Sequence, residues 1–190
     1  DLPAHGVLQT EREGFTELIN FLLSAQDTEG ARQWLNRDLA YHTENNGIID
    51  LRHERQLNQA AARLRFLEGE DPTTTAAAFR EALEPFYPRR GFDLLGEMLE
   101  AAGDFDGAIA AYTTFVEAPD LFAINADEGR VALVHFRLGE LYEERGNIDN
   151  AILHYEKMIE RWIDADDELQ PQVQEARRRV DALLDQKARE

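Results

Sequence analysis

The chain repeats part of itself: Leu95–Tyr112 lies over Leu138–Tyr155 without a gap, at an offset of 43 residues. Leu95-Gly96 matches Leu138-Gly139, Gly103 matches Gly146, Ala108-Ile109 matches Ala151-Ile152, and Tyr112 matches Tyr155. On both sides of each central glycine, apolar residues recur at spacings of three and four, the period of a helix with one buried face. Each copy therefore reads as helix, turn, helix. A unit of this size cannot bury its apolar face alone, so copies must stack on one another. Gly96 and Gly139 on the first helix, with Ala108 and Ala151 on the second, put nothing larger than a methyl between the two axes. Tyr112 and Tyr155 fill the space beyond. Gly103 and Gly146 fall where a helix ends, a place for a residue at ease with positive φ.

Leu-Gly on the first helix, a glycine at the turn, then Ala-Ile and an aromatic on the second resemble the tetratricopeptide repeat, a helix pair of about 34 residues. With the turn residue as anchor, Gln26, Gly69, Gly103 and Gly146 follow at intervals of 43, 34 and 43 residues. In the first unit Ala25-Gln26-Asp27 parallels Ala102-Gly103-Asp104, with Ile19 at the place of Gly96. In the second, Ala62 stands for Gly96 and Thr74 for Ala108. Pro85 and Pro119 both fall sixteen residues after their turn glycines, near the family's terminal proline. The resemblance spans about Phe15 to Ile163. It implies an all-α fold, a right-handed helical-repeat solenoid of about four antiparallel helix pairs closed by a C-terminal capping helix. The expected units are about 12–54, 55–88, 89–131 and 132–165, with the cap over about 168–189, all within one domain, 1–190.

Apolar spacing and punctuation predict the helices themselves. Leu8–Ala25 carries Phe15, Leu18, Ile19 and Leu22 on one stripe, and Ala31, Leu35 and Leu39 continue after the break at Gln26. A third helix runs from about Ile48 to Glu68, and a fourth from Thr73 to Phe86, with Pro85 expected to distort its last turn. Pairs follow at Phe92–Ala102 with Phe105–Ala118, and at about Ala126–Arg145 with Ile148–Ile163. Asn125 with Glu128 has the form of a capping box. The last helix, from about Glu168, puts Val173, Ala176, Val180, Leu183 and Leu184 on one side.

Composition narrows the chemistry. The 38 carboxylates outnumber the 20 basic residues for a net charge of −18, the opposite of what phosphate neutralisation requires, which argues against nucleic-acid binding. Eighteen of the basic residues are arginines, a balance that suits adaptation to high salt and equally a genome rich in G and C. There is no cysteine, hence no disulfide, thiolate metal site or cysteine nucleophile. No apolar run approaches the roughly 20 residues of a membrane span, so a soluble chain without membrane insertion is expected, its compartment unspecified. The start, Asp1-Leu2-Pro3, has neither the charge nor the apolar run of a leader and no initiator methionine, as in a processed product or a piece of something larger.

Catalytic motifs do not emerge. His53-Glu54 lacks a second histidine four residues on, so it reads as a solvated helix surface. His5, His42, His135 and His154 are scattered. Asp164, Asp166, Asp167 and Glu168 form an acidic run without a calcium loop's glycine or distal glutamate, and read as a linker suited to the next helix's positive end. Ser24 is the only serine, and no glycine-rich phosphate loop occurs. Trp34 and Trp162 read as packing residues. No catalytic residue, cofactor or metal is expected, and the chain is read as a non-enzyme.

The resemblance implies an interaction module whose concave face, lined by first helices, holds a peptide or protein segment. Carried over by register from Gly96 and Gly139, the family's groove positions fall on Arg90, Asp93, Glu97, Glu100 and Ala101, and on Leu133, Phe136, Glu140, Glu143 and Glu144. Six of these ten are acids. Clustered carboxylates would favour a basic segment, with Phe136 and Leu133 against its apolar part. The alternative is a structural or self-association role within a larger protein, with no separate peptide ligand.

Overall fold

A computed structural model describes residues 15–44, 51–83, 90–118 and 128–189. The expected start of the first helix at Leu8, the Ile48 start of the third, the distortion at Pro85, the terminal Pro119 and the Asn125 cap lie outside these residues. Every described element is helical: α1 (15–24), α2 (Thr28–Glu44), α3 (Leu51–Leu67), α4 (Pro72–Glu81), α5 (Phe92–Ala101), α6 (Phe105–Glu117), α7 (Glu128–Glu144), α8 (Ile148–Arg161) and α9 (Gln170–Lys187). The fold is the all-α helical repeat that the sequence predicts. Contacts divide the chain into two compact units, the first holding α1 to α4 and the second the bulk of α5 to α9.

The four turns at α1–α2, α3–α4, α5–α6 and α7–α8 are built alike. Gln26, Gly69, Gly103 and Gly146 have φ of 60°, 85°, 77° and 69°, the left-handed conformation that terminates a helix. Just beyond them the amides of Asp27, Glu70, Asp104 and Asn147 donate back to the carbonyls of Leu22, Arg65, Leu99 and Tyr142 at 2.9–3.0 Å. An Asx side chain then caps the next helix. Asp27 accepts from the Gly30 amide, Asp71 from Thr74 and Asp104 from Gly107, each at 2.9 Å, and Asn147 accepts from Asn150 at 3.3 Å. The α3–α4 turn holds one extra residue, Glu70, before its cap. That insertion moves the close-packed position from the expected Thr74, which is exposed, to Thr75, which is fully buried and bonds back to the Asp71 and Pro72 carbonyls.

Gln26 is the one side-chain-bearing residue with positive φ among the described residues. A Cβ in this region costs roughly 1–2 kcal/mol, partly offset in glycine by its freer unfolded chain. Gln26→Gly is therefore expected to stabilise the protein by about 0.5–1 kcal/mol. A urea melt that does not move to higher midpoint would contradict this.

Side-chain volume is traded between paired helices at equivalent positions. Where α5 and α7 carry Gly96 and Gly139, α6 and α8 bring Tyr112 and Tyr155; α3 has Ala62 and α4 has Phe79; α1 has Ile19 and α2 has Leu35. All eight are buried. The glycines are obligatory because a Cβ on Gly139 would stand 2.6 Å from the Tyr155 ring, and one on Gly96 would clash with Tyr112. The tyrosines thus lie on the glycines themselves. In the first unit Ile19, Leu23, Ala31, Leu35, Leu57, Ala60 and Leu64 form the core; in the second, Tyr155, Met158, Trp162, Val173, Ala176, Val180 and Leu183 gather where α9 packs on α8.

Candidate functional site

All the expected groove residues but Arg90 are on first helices, α5 and α7, and arginines join most of the acids among them into a lattice. Arg130 of α7 donates through Nε to Asp93 and through Nη2 to Glu97 of α5, both at 2.6 Å. Two turns further along α7, Arg137 binds Glu100 through two guanidinium nitrogens and Glu140 on its own helix at 2.8 Å. Arg179 of α9 does the same one step further. It lies 3.3 Å from Glu140, 3.1 Å from Glu143 and 2.9 Å from Glu175.

Two of these carboxylates also have a structural duty. The Tyr112 hydroxyl donates to Glu100 at 2.6 Å, and the Tyr155 hydroxyl to Glu143 at 2.7 Å. Each acid stands four residues after its glycine and the tyrosine sixteen after, so one geometry occurs twice. Burial, and then the carboxylate that each hydroxyl faces, push both phenols well above the ordinary tyrosine range. Phe136 meets Tyr155 edge to face at 5.4 Å, with the Arg179 guanidinium 5.7 Å above its ring. Leu133 is exposed on the same helix, as are Glu97 on α5, Glu144 at the end of α7 and Arg90 just before α5.

The carboxylates are therefore not bare, contrary to the picture of simple mutual repulsion. Four arginines, Arg130, Arg137, Arg178 and Arg179, serve six acids, Asp93, Glu97, Glu100, Glu140, Glu143 and Glu175, so carboxylates still outnumber their guanidinium partners. Sequence reasoning missed the arginines. Their partners on the preceding first helix stand 33 to 39 residues upstream, from Arg130 to Glu97 at one limit to Arg179 to Glu140 at the other.

Two histidine sites also differ from the expectation. His53 does not face solvent: it is 9% exposed, with Nε2 3.2 Å from Asp38 and Nδ1 3.5 Å from Thr16. Its place on the stripe His53, Leu57, Ala60, Leu64 was the readable signal, because spacings of four, three and four turn it toward the core. Hydroxyl, imidazole and carboxylate follow in the order of a nucleophilic triad, but Thr16 and Asp38 are themselves only 5% and 2% exposed. The three groups tie α1, α2 and α3 together by polar contacts inside the unit, with no open face for a substrate.

The other two, His135 of α7 and His154 of α8, meet through their Nδ1 atoms at 2.9 Å, with Tyr142 stacked on His154 at 5.4 Å. Burial pushes both imidazoles down, His154 to about 4 and His135, which also feels the charge of His154, to about 3. Among the described residues no group of three or more metal-ligating side chains is arranged around a common point, and no helix is long and apolar enough to cross a membrane.

Paired helices, left-handed turns and first helices joined edge to edge define a helical-repeat protein. Residues 134–162, covering most of α7, the Gly146 turn and α8, match the family model of the tetratricopeptide repeat. This helix pair is of the tetratricopeptide-repeat type, and such repeats generally serve in protein–protein interaction modules and are typically non-enzymatic. A comparison with curated proteins found no match.

Proposed function

We infer that this module takes a protein segment rich in lysine or arginine along the first helices of its second unit, α5 and α7, beside the capping helix α9. The observation that carries the reading is the acidic balance of the lattice: six carboxylates share four guanidinium groups, so a ligand cation can enter as a further shared partner. Glu97, whose side chain is 48% exposed beside Arg130, is the accessible edge. Phe136 and the exposed Leu133 offer apolar contact to the stems of such side chains. Because the resident arginines compete for the same oxygens, binding is modest in strength and falls with added salt. An acidic tail is disfavoured.

The test uses exposed residues, so that the fold survives. Glu97→Lys with Glu144→Lys is expected to weaken binding of an arginine- and leucine-containing peptide about tenfold, equal to ~1.4 kcal/mol. Reversing Asp164, Asp166 and Asp167 on the linker should leave it unchanged. Isothermal titration against that peptide and a glutamate-substituted analogue decides the matter: equal affinity for the two peptides would end the reading, and a loss confined to the linker variant would move the surface there.

A further inference from the structure

We propose that His135 and His154 form an acid-release latch between α7 and α8, closed while the pair is neutral and sprung by its second proton. The pair is buried at 2% and 5% exposure, and its Nδ1 atoms are 2.9 Å apart. At that distance one Nδ1 carries the hydrogen and the other accepts it. A first proton can settle on Nε2 of the donating ring and leave the bond intact. A second must take the accepting Nδ1 itself. Two N–H groups then point at one another across 2.9 Å between two cations, and the helices have to part.

The surroundings reinforce this. On α8, Lys157 acts on both rings and Arg161 on His135, and both cations oppose protonation. Tyr142 of α7 stacks on His154. From α6 and α9, which pack against these helices, no described carboxylate is among the groups that act on either imidazole. The chain itself shows that the histidines are not a packing requirement. At the offset of 43 residues, His135 falls on Phe92 and His154 on Ala111, so the same two positions of the preceding helix pair are filled without titratable groups.

The sign follows from linkage. Each ring has its ordinary value near 6.5 in the unfolded chain and a lower one in the fold, so the contribution to stability is complete above that value and is lost as pH falls below it. One ring whose value drops to about 4 in the fold costs about 30-fold in the folding constant between pH 7.5 and pH 5.

Urea unfolding of the full chain at pH 7.5, 6 and 5 tests this against the double variant His135→Phe, His154→Ala, which copies the chain's own alternative. The wild type should lose at least 30-fold more of its folding constant over that range than the variant. Parallel losses would overturn the latch, because they would trace to the carboxylates that both proteins share. If the double variant fails to fold at pH 7.5, histidine ring resonances of the wild type decide. Two rings that stay neutral in the folded protein to below pH 5 support the latch, and titration of both near 6.5 overturns it.

Discussion

Tyr155→Ala is expected to cost about 3–5 kcal/mol, the range for deleting a fully buried aromatic ring. The ring has no exposed surface, rests on the bare Cα of Gly139, and meets Phe136 edge to face. No neighbour can collapse into the gap easily, since the backbone of α7 forms one wall. The hydroxyl adds less. In Tyr155→Phe the Glu143 carboxylate keeps Arg179 at 3.1 Å, so the loss should stay near 1 kcal/mol, a typical net hydrogen bond. Chemical denaturation of both variants separates packing from polar bonding. Equal losses in the two would mean that the hydroxyl network, and not the glycine–tyrosine fit, holds this helix pair together.

That fit was legible in the sequence because it is local. Gly139 and Tyr155 lie sixteen residues apart within one helix pair, and the turn glycine fixes how the two helices fold back on each other. The same locality explains why most described helix ends fall within a few residues of their predicted places and why the positive φ at Gly103 and Gly146 was foreseeable. Thr75 shows the limit. One extra residue at Glu70 shifts the second helix of that pair by a step, and pattern matching without the cap at Asp71 puts the buried position one residue early.

The lattice was illegible for a different reason. Asp93 to Arg130 and Glu100 to Arg137 are each 37 residues apart, and Glu143 to Arg179 is 36. These intervals span a whole helix pair and its connection, and connection length varies between pairs. Charge periodicity within a helix says nothing about them. Counting acids on a face consequently overstated its potential, because the neutralising cations arrive from the next first helix. His135 and His154 escaped notice likewise: nineteen residues apart, they meet only because the turn at Gly146 brings α8 back along α7.

Removing α9, from Glu168 onward, should leave a chain that self-associates and is less stable by several kcal/mol. Val173, Ala176, Val180 and Leu183 are all buried, and each larger apolar side chain contributes about 1.5–3 kcal/mol when fully withdrawn from water. Their loss uncovers the second unit's cluster around Met158 and Trp162, an apolar face with no remaining helix of its own unit to cover it. It also takes away Arg179, and with it the cation shared by Glu140 and Glu143. A point substitution distinguishes loss of docking from loss of chain: Val180→Asp places an unpaired carboxylate in that same contact and should reproduce the effect at full length. In both proteins Trp162, 7% exposed in the intact fold, would meet water and its emission would shift to longer wavelength. Light scattering at several concentrations gives the association. A truncated chain that stays monomeric with an unchanged melting temperature would show that α9 does not shield this core.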